Sequence, residues 1–449
     1  MALQNQAKGK QEGVIKGGDV DVISVELFSS HHKDSFKLGN IWKNISIFEN
    51  MQKNYIEGEI TISETQALFE FIPIITNEKI VIKFITPSAA EPYEFIGHLH
   101  EIPSRIQISQ GQQVYVLRFI SPEFVKNQKI KFSKSYNKML ISDMVTNIYD
   151  QHLSGVTDKS LRVIPTTDQT SRVVPTMSPF KAINWLTKWS VSPSYRDGVS
   201  YVFFENQTGY HYGPIEALVD SSVNKNPVAI YTKEIVMAQE GKHKEVGRAY
   251  HSISSIETFT PKYFSGIVSG AYASKAKTHD IVLRKIGDST RNYFESYSKT
   301  KHLESSDENT MLHNDTSLGE YSDSFVRCIP DHYLAYSDQP SSRTTSTSLT
   351  RISQFSQFFS KKLNIVVPGD SDRTIGEIVE VKVPSASPAL DSTMGDKDIY
   401  LSGRYLITGL RHSIEMSAEN NKANHTLHME LSSDSYASPL PEQTVRHWT

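Results

Sequence analysis

The sequence predicts a mainly β protein in which two antiparallel β-barrel regions flank a helix-containing α+β region. Three observations carry this prediction. Six short runs of alternating apolar residues fill Val20 to Ile120, and four more fill Leu363 to Leu431. Between them, two segments switch to the 3.6-residue period of an amphipathic helix.

In chain order, Met1 to Gly18 is polar, with Lys8, Lys10 and Lys16 and no apolar run. Residues 1–18 are therefore expected to be a flexible arm rather than a membrane span or a secretory signal. The first barrel region, 19–136, takes its strands from Val20 to Leu27, Ile41 to Phe48, Tyr55 to Ile62, Lys79 to Ile85, Glu94 to Ile102 and Val114 to Ile120. Turns are expected at Asn77-Glu78 and at Gln110-Gly111-Gln112, where the glycine accepts a positive φ. The second of these turns makes a hairpin of 105–109 with 113–117.

The α+β region is placed at 137–227. Ile141, Met144, Val145, Ile148, Tyr149 and Leu153 share one helical face, which Ser154-Gly155 closes. A second helix starts with Ser178 as N-cap and Pro179 in its first turn, and continues through Phe180, Ile183, Leu186 and Trp189. Tyr201 to Glu205, a turn at Asn206 to Gly209, and Tyr210 to Tyr212 read as a hairpin.

The second barrel region combines 228–288 with 349–435. Strands are expected at Val228 to Ala238, Tyr250 to Phe259 and Ile281 to Ile286, with Ile267 to Tyr272 as a further one. The stretch 289–348, rich in Ser, Asp, Asn and Thr, reads as a polar insertion. Leu349, Ile352, Phe355 and Phe359 recur at helical spacing behind Pro340 to Ser348, a tract able to cap a helix start. Four strands follow: Leu363 to Val367, Ile375 to Val383, Tyr400 to Glu415 and His425 to Leu431. Pro368-Gly369, a loop at Pro384 to Asp398 and Asn420-Asn421 separate them. Residues 436–449 form a C-terminal tail.

Composition narrows the function classes. The chain has 449 residues, a formal net charge of −3 and a single cysteine, Cys328. Such a length calls for more than one core. The charge argues against a dedicated nucleic-acid binder, and one cysteine excludes an intrachain disulfide and any multi-cysteine metal site.

No phosphate-binding glycine loop, dinucleotide fingerprint or nucleophile elbow is present. Asp370-Ser371-Asp372 resembles the start of a calcium loop, but Ile375 and Val381 stand where such a loop needs Gly and Glu. His31-His32 points its two side chains to opposite sides of an extended chain and reads as a solvated turn. His412, His425 and His428 lie on two adjacent strands, yet His425 and His428 face opposite ways, so structural histidines at a sheet edge are expected. Trp185, Trp189, Tyr195 and Tyr201 are spaced for a core rather than a sugar platform. Lys126, Lys129, Lys131, Lys134 and Lys138 read as a solvated edge strand and linker rather than a nucleic-acid contact. No carboxylate pair stands in a recognisable catalytic context. The expected catalytic, cofactor-binding and metal residues are therefore none.

The strand leading to Pro368-Gly369, the strand ending at Pro384 and the Leu401-Ser402-Gly403-Arg404-Tyr405-Leu406-Ile407-Thr408 run to His412 resemble the C-terminal part of contractile-tail baseplate hub proteins. These are the late control protein D family of phages, including the hub of T-even phages, and are similar to the base of type VI secretion spike proteins. Tyr55 to Ile62, Leu68 to Ile74 and Glu78 to Phe84 resemble the first tube-type barrel of the same hubs. The interior resembles the family only loosely.

The resemblance implies a non-enzymatic virion component of the phage tail baseplate, made in the host bacterial cytoplasm. It implies a homotrimer whose six barrels form a pseudo-six-fold ring around a channel. That ring would join a hexameric tail tube or tube-initiator protein above to a trimeric central spike below, with baseplate wedge proteins around it. DNA would pass without sequence-specific contact, and no cofactor or membrane insertion is implied. The alternatives are the base of a type VI secretion-type spike, a tail-tip cell-wall hydrolase, and a secreted carbohydrate-binding β protein.

Overall fold

The computed structural model describes residues 17–29, 35–39, 41–65, 74–109, 111–195, 197–220, 227–233, 251–259, 263–304, 317–330, 343–359, 361–385, 397–398, 400–417 and 422–437. The calls on Met1 to Lys16, His31-His32, Leu68 to Pro73 and Asn420-Asn421 lie outside the described residues, as do most of the Pro384 to Asp398 loop and the tail beyond Ala437.

The first half is built from β1 (Asp21–Phe28), β2 (Phe36–Lys37), β3 (Trp42–Asn50), β4 (Glu57–Glu64), β5 (Lys79–Ile85), β6 (Tyr93–Ser109) and β7 (Gln112–Ile120). Alternation makes these strands. In β4, Gly58, Ile60 and Ile62 turn inward while Glu57, Glu59 and Thr61 stay near the surface. Gly58 is required there, because a Cβ would overlap the Phe119 ring and the Ser46 carbonyl. The expected β6–β7 hairpin forms, with Arg105 opposite Tyr115 and Gln107 opposite Gln113.

The middle region holds α1 (Pro122–Lys129), β8 (Phe132–Met139), α2 (Ile141–His152), β9 (Leu161–Val163), β10 (Thr170–Met177), α3 (Pro179–Leu186), β11 (Tyr201–Asn206), β12 (Gly209–Pro214) and α4 (Ile215–Val219). Helix α2 buries Ile141, Met144, Val145, Ile148 and Tyr149, the face its spacing predicts. Each such side chain contributes about 1.5–3 kcal/mol. Ser178 occupies the N-cap position of α3 but makes no side-chain cap bond. Asn127 of α1 supplies it instead, its Oδ1 accepting from the Phe180 N–H at 2.8 Å. Helix α1 corrects the reading of 126–138 as edge strand and linker: Pro122 and Glu123 start a helix, and only 132–139 is a strand.

The remainder comprises β13 (Ala229–Thr232), β14 (Ser255–Phe259), α5 (Tyr263–Ser269), β15 (Ala273–Asp280), β16 (Lys285–Asn292), α6 (Tyr293–Tyr297), β17 (Val326–Pro330), α7 (Arg343–Phe358), β18 (Lys361–Pro368), β19 (Ile378–Lys382), β20 (Gly403–Met416) and β21 (Ala423–Ser433). Three expectations change here. Ile267 to Tyr272 is the end of a helix, which Gly270 closes at φ 74° with its N–H on the Ile267 carbonyl. Ile281 to Leu283 form a turn, because the Asp280 carboxylate accepts the Val282 and Leu283 N–H groups. The 289–348 stretch contributes the end of β16, α6, β17 and the first turns of α7, so Arg343 to Ser348 continue a helix rather than precede one.

The fold is mainly β with antiparallel sheets, but its two β halves are not separate. One sheet of thirteen strands runs β14-β18-β21-β20-β3-β4-β7-β6-β5-β1-β2, with β19 joining β20 to β13. The join is β20 against β3, with Ile414 opposite Ile45 and Arg411 opposite Phe48. Among the described residues this sheet does not close into a barrel. Strand β20 is long enough to serve both halves: Tyr405 to Leu410 lie in the second core and Ile414 in the first. A third core gathers α2, α3, β11 and β12.

Candidate assembly interface

Behind the β3–β20 join lies a buried polar seam. Glu49, at the end of β3, is buried and accepts hydrogen bonds from the Thr374 hydroxyl (2.5 Å), the Ile375 N–H (3.1 Å) and the Tyr93 hydroxyl (3.3 Å). Burial pushes its carboxyl up to about 7, against the pull of those donors. Beside it, Thr86 and Ser371 exchange hydroxyl contacts at 3.0 Å, and Ser88 donates to Asp370 at 3.1 Å. The 369–376 segment of the second half is thus tied to the first half at four places.

His412 and His425 sit in the same seam, both fully buried. Their Nδ1 and Nε2 atoms are 3.1 Å apart, and the rings lie against Phe84 and Tyr93. This corrects their placement at a sheet edge: β20 has neighbours on both sides, so its inward side chains lie in the middle of the sheet. His428 faces the other way and is exposed, as its spacing requires. Burial drops His412 to about 4 and holds His425 well below the usual imidazole range.

The opposite face of the join is an open groove of about 380 Å³. It is lined by Phe48, Glu57, Glu257, Arg411, His428 and Glu430, among others. The Arg411 guanidinium covers the Phe48 ring at 5.3 Å and donates to the Ser46 hydroxyl.

A third feature is a small tongue, the sheet β16-β15-β17. Ile281, Val282 and Ile286 at its tip are 69%, 70% and 76% exposed, and Phe264 and Val268 of α5 are 77% and 70% exposed. Among the described residues its own buried cluster holds Ala271, Tyr272 and Leu318. An exposed apolar surface of this kind is a candidate contact surface.

The other sequence candidates resolve as structure. Asp370 pairs with Arg373 at 3.1 Å, and Asp372 gives its backbone N–H to Asp370. Trp185 and Trp189 stack edge to face against the third core, and the Tyr201 hydroxyl donates to the Pro165 carbonyl. Tyr195 is half-buried in the neighbouring loop. Lys126 and Lys134 are tied to the Ser154 carbonyl and to Asn147, so the lysine run is not one free basic strip. Among the described residues no group of three or more His, Cys, Asp or Glu is placed to hold a metal, and no helix is long and apolar enough to cross a membrane.

Sequence reasoning missed two constellations. Glu205 sits buried between Lys159, the Ser121 hydroxyl and the Tyr210 hydroxyl, joining the middle region to the first half. Thr300, His302 and Asp434 form a hydroxyl–imidazole–carboxylate chain, at 2.6 and 2.7 Å, beside a cavity of about 30 Å³. Burial would lower the His302 pKa, but the hydrogen bond and charge of Asp434 outweigh it and raise it. Nδ1 of His302 faces Asp434, and Nε2 faces both the Thr300 hydroxyl and the Tyr297 carbonyl, so the chain ties residues 297–302 to Asp434. The residues of each constellation lie too far apart in sequence for spacing to reveal them.

No protein-family model matches the chain, and no curated protein matches it in sequence. Solved structures do match. The tail protein from Neisseria meningitidis MC58 is 9% identical with a TM-score of 0.54, over 92% of this chain and 96% of that one. The chain carries a tail-protein fold. Other structural neighbours include phage tail proteins and type VI secretion VgrG-type proteins. They include the 43 kDa tail protein of prophage MuSo2 from Shewanella oneidensis, with 8% identity and a TM-score of 0.49 over 92% of this chain and 98% of that one. A Francisella PdpA-VgrG complex is 12% identical with a TM-score of 0.47, over 96% of this chain and 55% of that one.

Proposed function

We propose that the chain is the structural hub of a contractile-tail baseplate, a trimeric adaptor between a hexameric tail tube and a trimeric central spike, with a channel for DNA. The observation that carries this reading is a tail-protein fold that spans nearly the whole of both chains. Two β halves per chain, assigned to 19–136 and to 228–288 with 349–435, give three chains six comparable docking faces around a ring. Residues 137–227 form the domain between them. The exposed apolar tongue supports a role in assembly, since such a surface is stable only when covered. Function here is interface geometry: each partner is held by surface that no single chain buries for itself.

Light scattering tests the reading. The purified chain is expected at about 152 kDa, three times 50.7 kDa, and at that mass plus the spike's own when the spike is bound. A stable dimer in the presence of the spike overturns it.

A further inference from the structure

We propose that the seam between the two β halves is an acid-released latch, in which proton uptake by the His412–His425 pair frees the 369–376 segment from the first half.

The geometry leaves the pair no place for an added proton. At 3.1 Å, His412 Nδ1 and His425 Nε2 share one hydrogen. The two outer nitrogens, His412 Nε2 and His425 Nδ1, are both buried and have no hydrogen-bond partner among the described residues. The neutral pair places its remaining ring hydrogen on one of them, so the next proton must go to the other. A charge there has neither water nor an acceptor.

The groups packed around the pair do not rescue it. Phe84 of β5 supplies only the edge of a ring. Tyr93 of β6 gives its hydroxyl to Glu49. Asp370 and Glu377 are both engaged by Arg373. Glu49 of β3, which burial pushes up to about 7, takes up its own proton before the imidazoles, both held by burial below the ordinary histidine range. Among the described residues no carboxylate hydrogen-bonds to either ring, and the Asp370 charge, which favours the charged form of His412, does not offset burial. The sign is fixed: the folded pKa values lie below the ordinary histidine value, so stability falls as pH drops from 6.5 through 4.

The loss is local because of what rests on His425. Gly369 lies directly on its ring, where a Cβ would overlap the imidazole, and its N–H donates to the His425 carbonyl at 2.8 Å. Any shift of the charged ring toward water displaces Gly369, and with it the Ser371, Thr374 and Ile375 contacts to the first half.

Hydrogen exchange by mass spectrometry on the full chain, from pH 7 to 3.5 and corrected for intrinsic rates, tests this. Peptides covering 84–93 and 369–376 are expected to lose protection at least tenfold between pH 6.5 and 4, while α2 and β12 keep theirs. His425→Gln, which keeps a donor toward His412 but cannot take up the proton, is expected to hold the seam closed at pH 4. His428→Gln on the exposed face is expected to behave as wild type. Simultaneous loss of protection everywhere, or a seam that opens equally in His425→Gln, overturns the proposal. If His425→Gln does not fold, imidazole NMR of the wild type decides. Protonation of the buried pair in step with seam opening supports the latch, and protonation near pH 6.5 with the seam closed overturns it.

Discussion

The seam and the tongue solve opposite problems with the same kind of strand. In the seam, β3 and β20 bring polar groups into a buried space, and almost every one finds its partner within the chain: Glu49 has three donors, Asp370 has Ser88 and Arg373, and Thr86 has Ser371. In the tongue, β15, β16 and β17 pair correctly along their backbones, but Ile281, Val282 and Ile286 are left bare. Backbone pairing alone does not complete a sheet; its faces must be covered as well. The seam is covered within the chain, whereas the tongue tip is exposed.

A pair of glycines sharpens this most. Gly369→Ala drives a methyl into the buried His425 ring, whereas at Gly287 on the tongue the added carbon meets only the Thr278 hydroxyl, 2.7 Å away, whose exposed bond to the Gly287 carbonyl (3.2 Å) can be exchanged for water. Urea unfolding is expected to show a loss of about 3 kcal/mol for Gly369→Ala and below about 1 kcal/mol for Gly287→Ala. Equal losses would mean that the seam is no more tightly built than the tongue.

A smaller effect separates the two by pH. Glu49 has its folded pKa raised to about 7 from 4.5, so the folded chain holds its proton more tightly than the unfolded one, and stability falls as pH rises from 4.5 through 7. Glu49→Gln removes that fall. Stability measured at pH 5 and pH 8 is expected to differ by about 1–2 kcal/mol less in the variant than in wild type. An unchanged slope would remove Glu49 from the seam's electrostatics.

The smallest effect belongs to the tongue. Ile281→Asp replaces an exposed side chain, so the unfolding free energy of the isolated chain is expected to stay within about 0.5 kcal/mol of wild type. A loss above 2 kcal/mol would show that the tip is covered by its own chain.

The contrast also explains what could be read from sequence. Strands with one buried face announce themselves by alternation, so β3, β4, β7, β18 and β21 were legible, and α2 was legible from its 3.6 period. The tip at Ile281 to Ile286 misled because its apolar residues signal a buried strand, and here they are not buried. Helix α1 was hidden because Lys126 and Lys129 mask its short buried face of Pro122, Glu123 and Asn127. The seam was invisible for a different reason. Glu49 and Thr374, or Thr86 and Ser371, are hundreds of positions apart, and only the β3–β20 pairing brings them together. The histidines were noticed but misplaced, since local spacing tells which way a side chain points and not how many strands lie beyond it.

The most direct measurement is the rotational symmetry of the assembled protein in averaged electron micrographs. The hub reading predicts a three-fold ring with six similar lobes around a channel, the tongue of each chain lying against a neighbour. A two-fold particle, or a ring in which every tongue stands free in solvent, would contradict it.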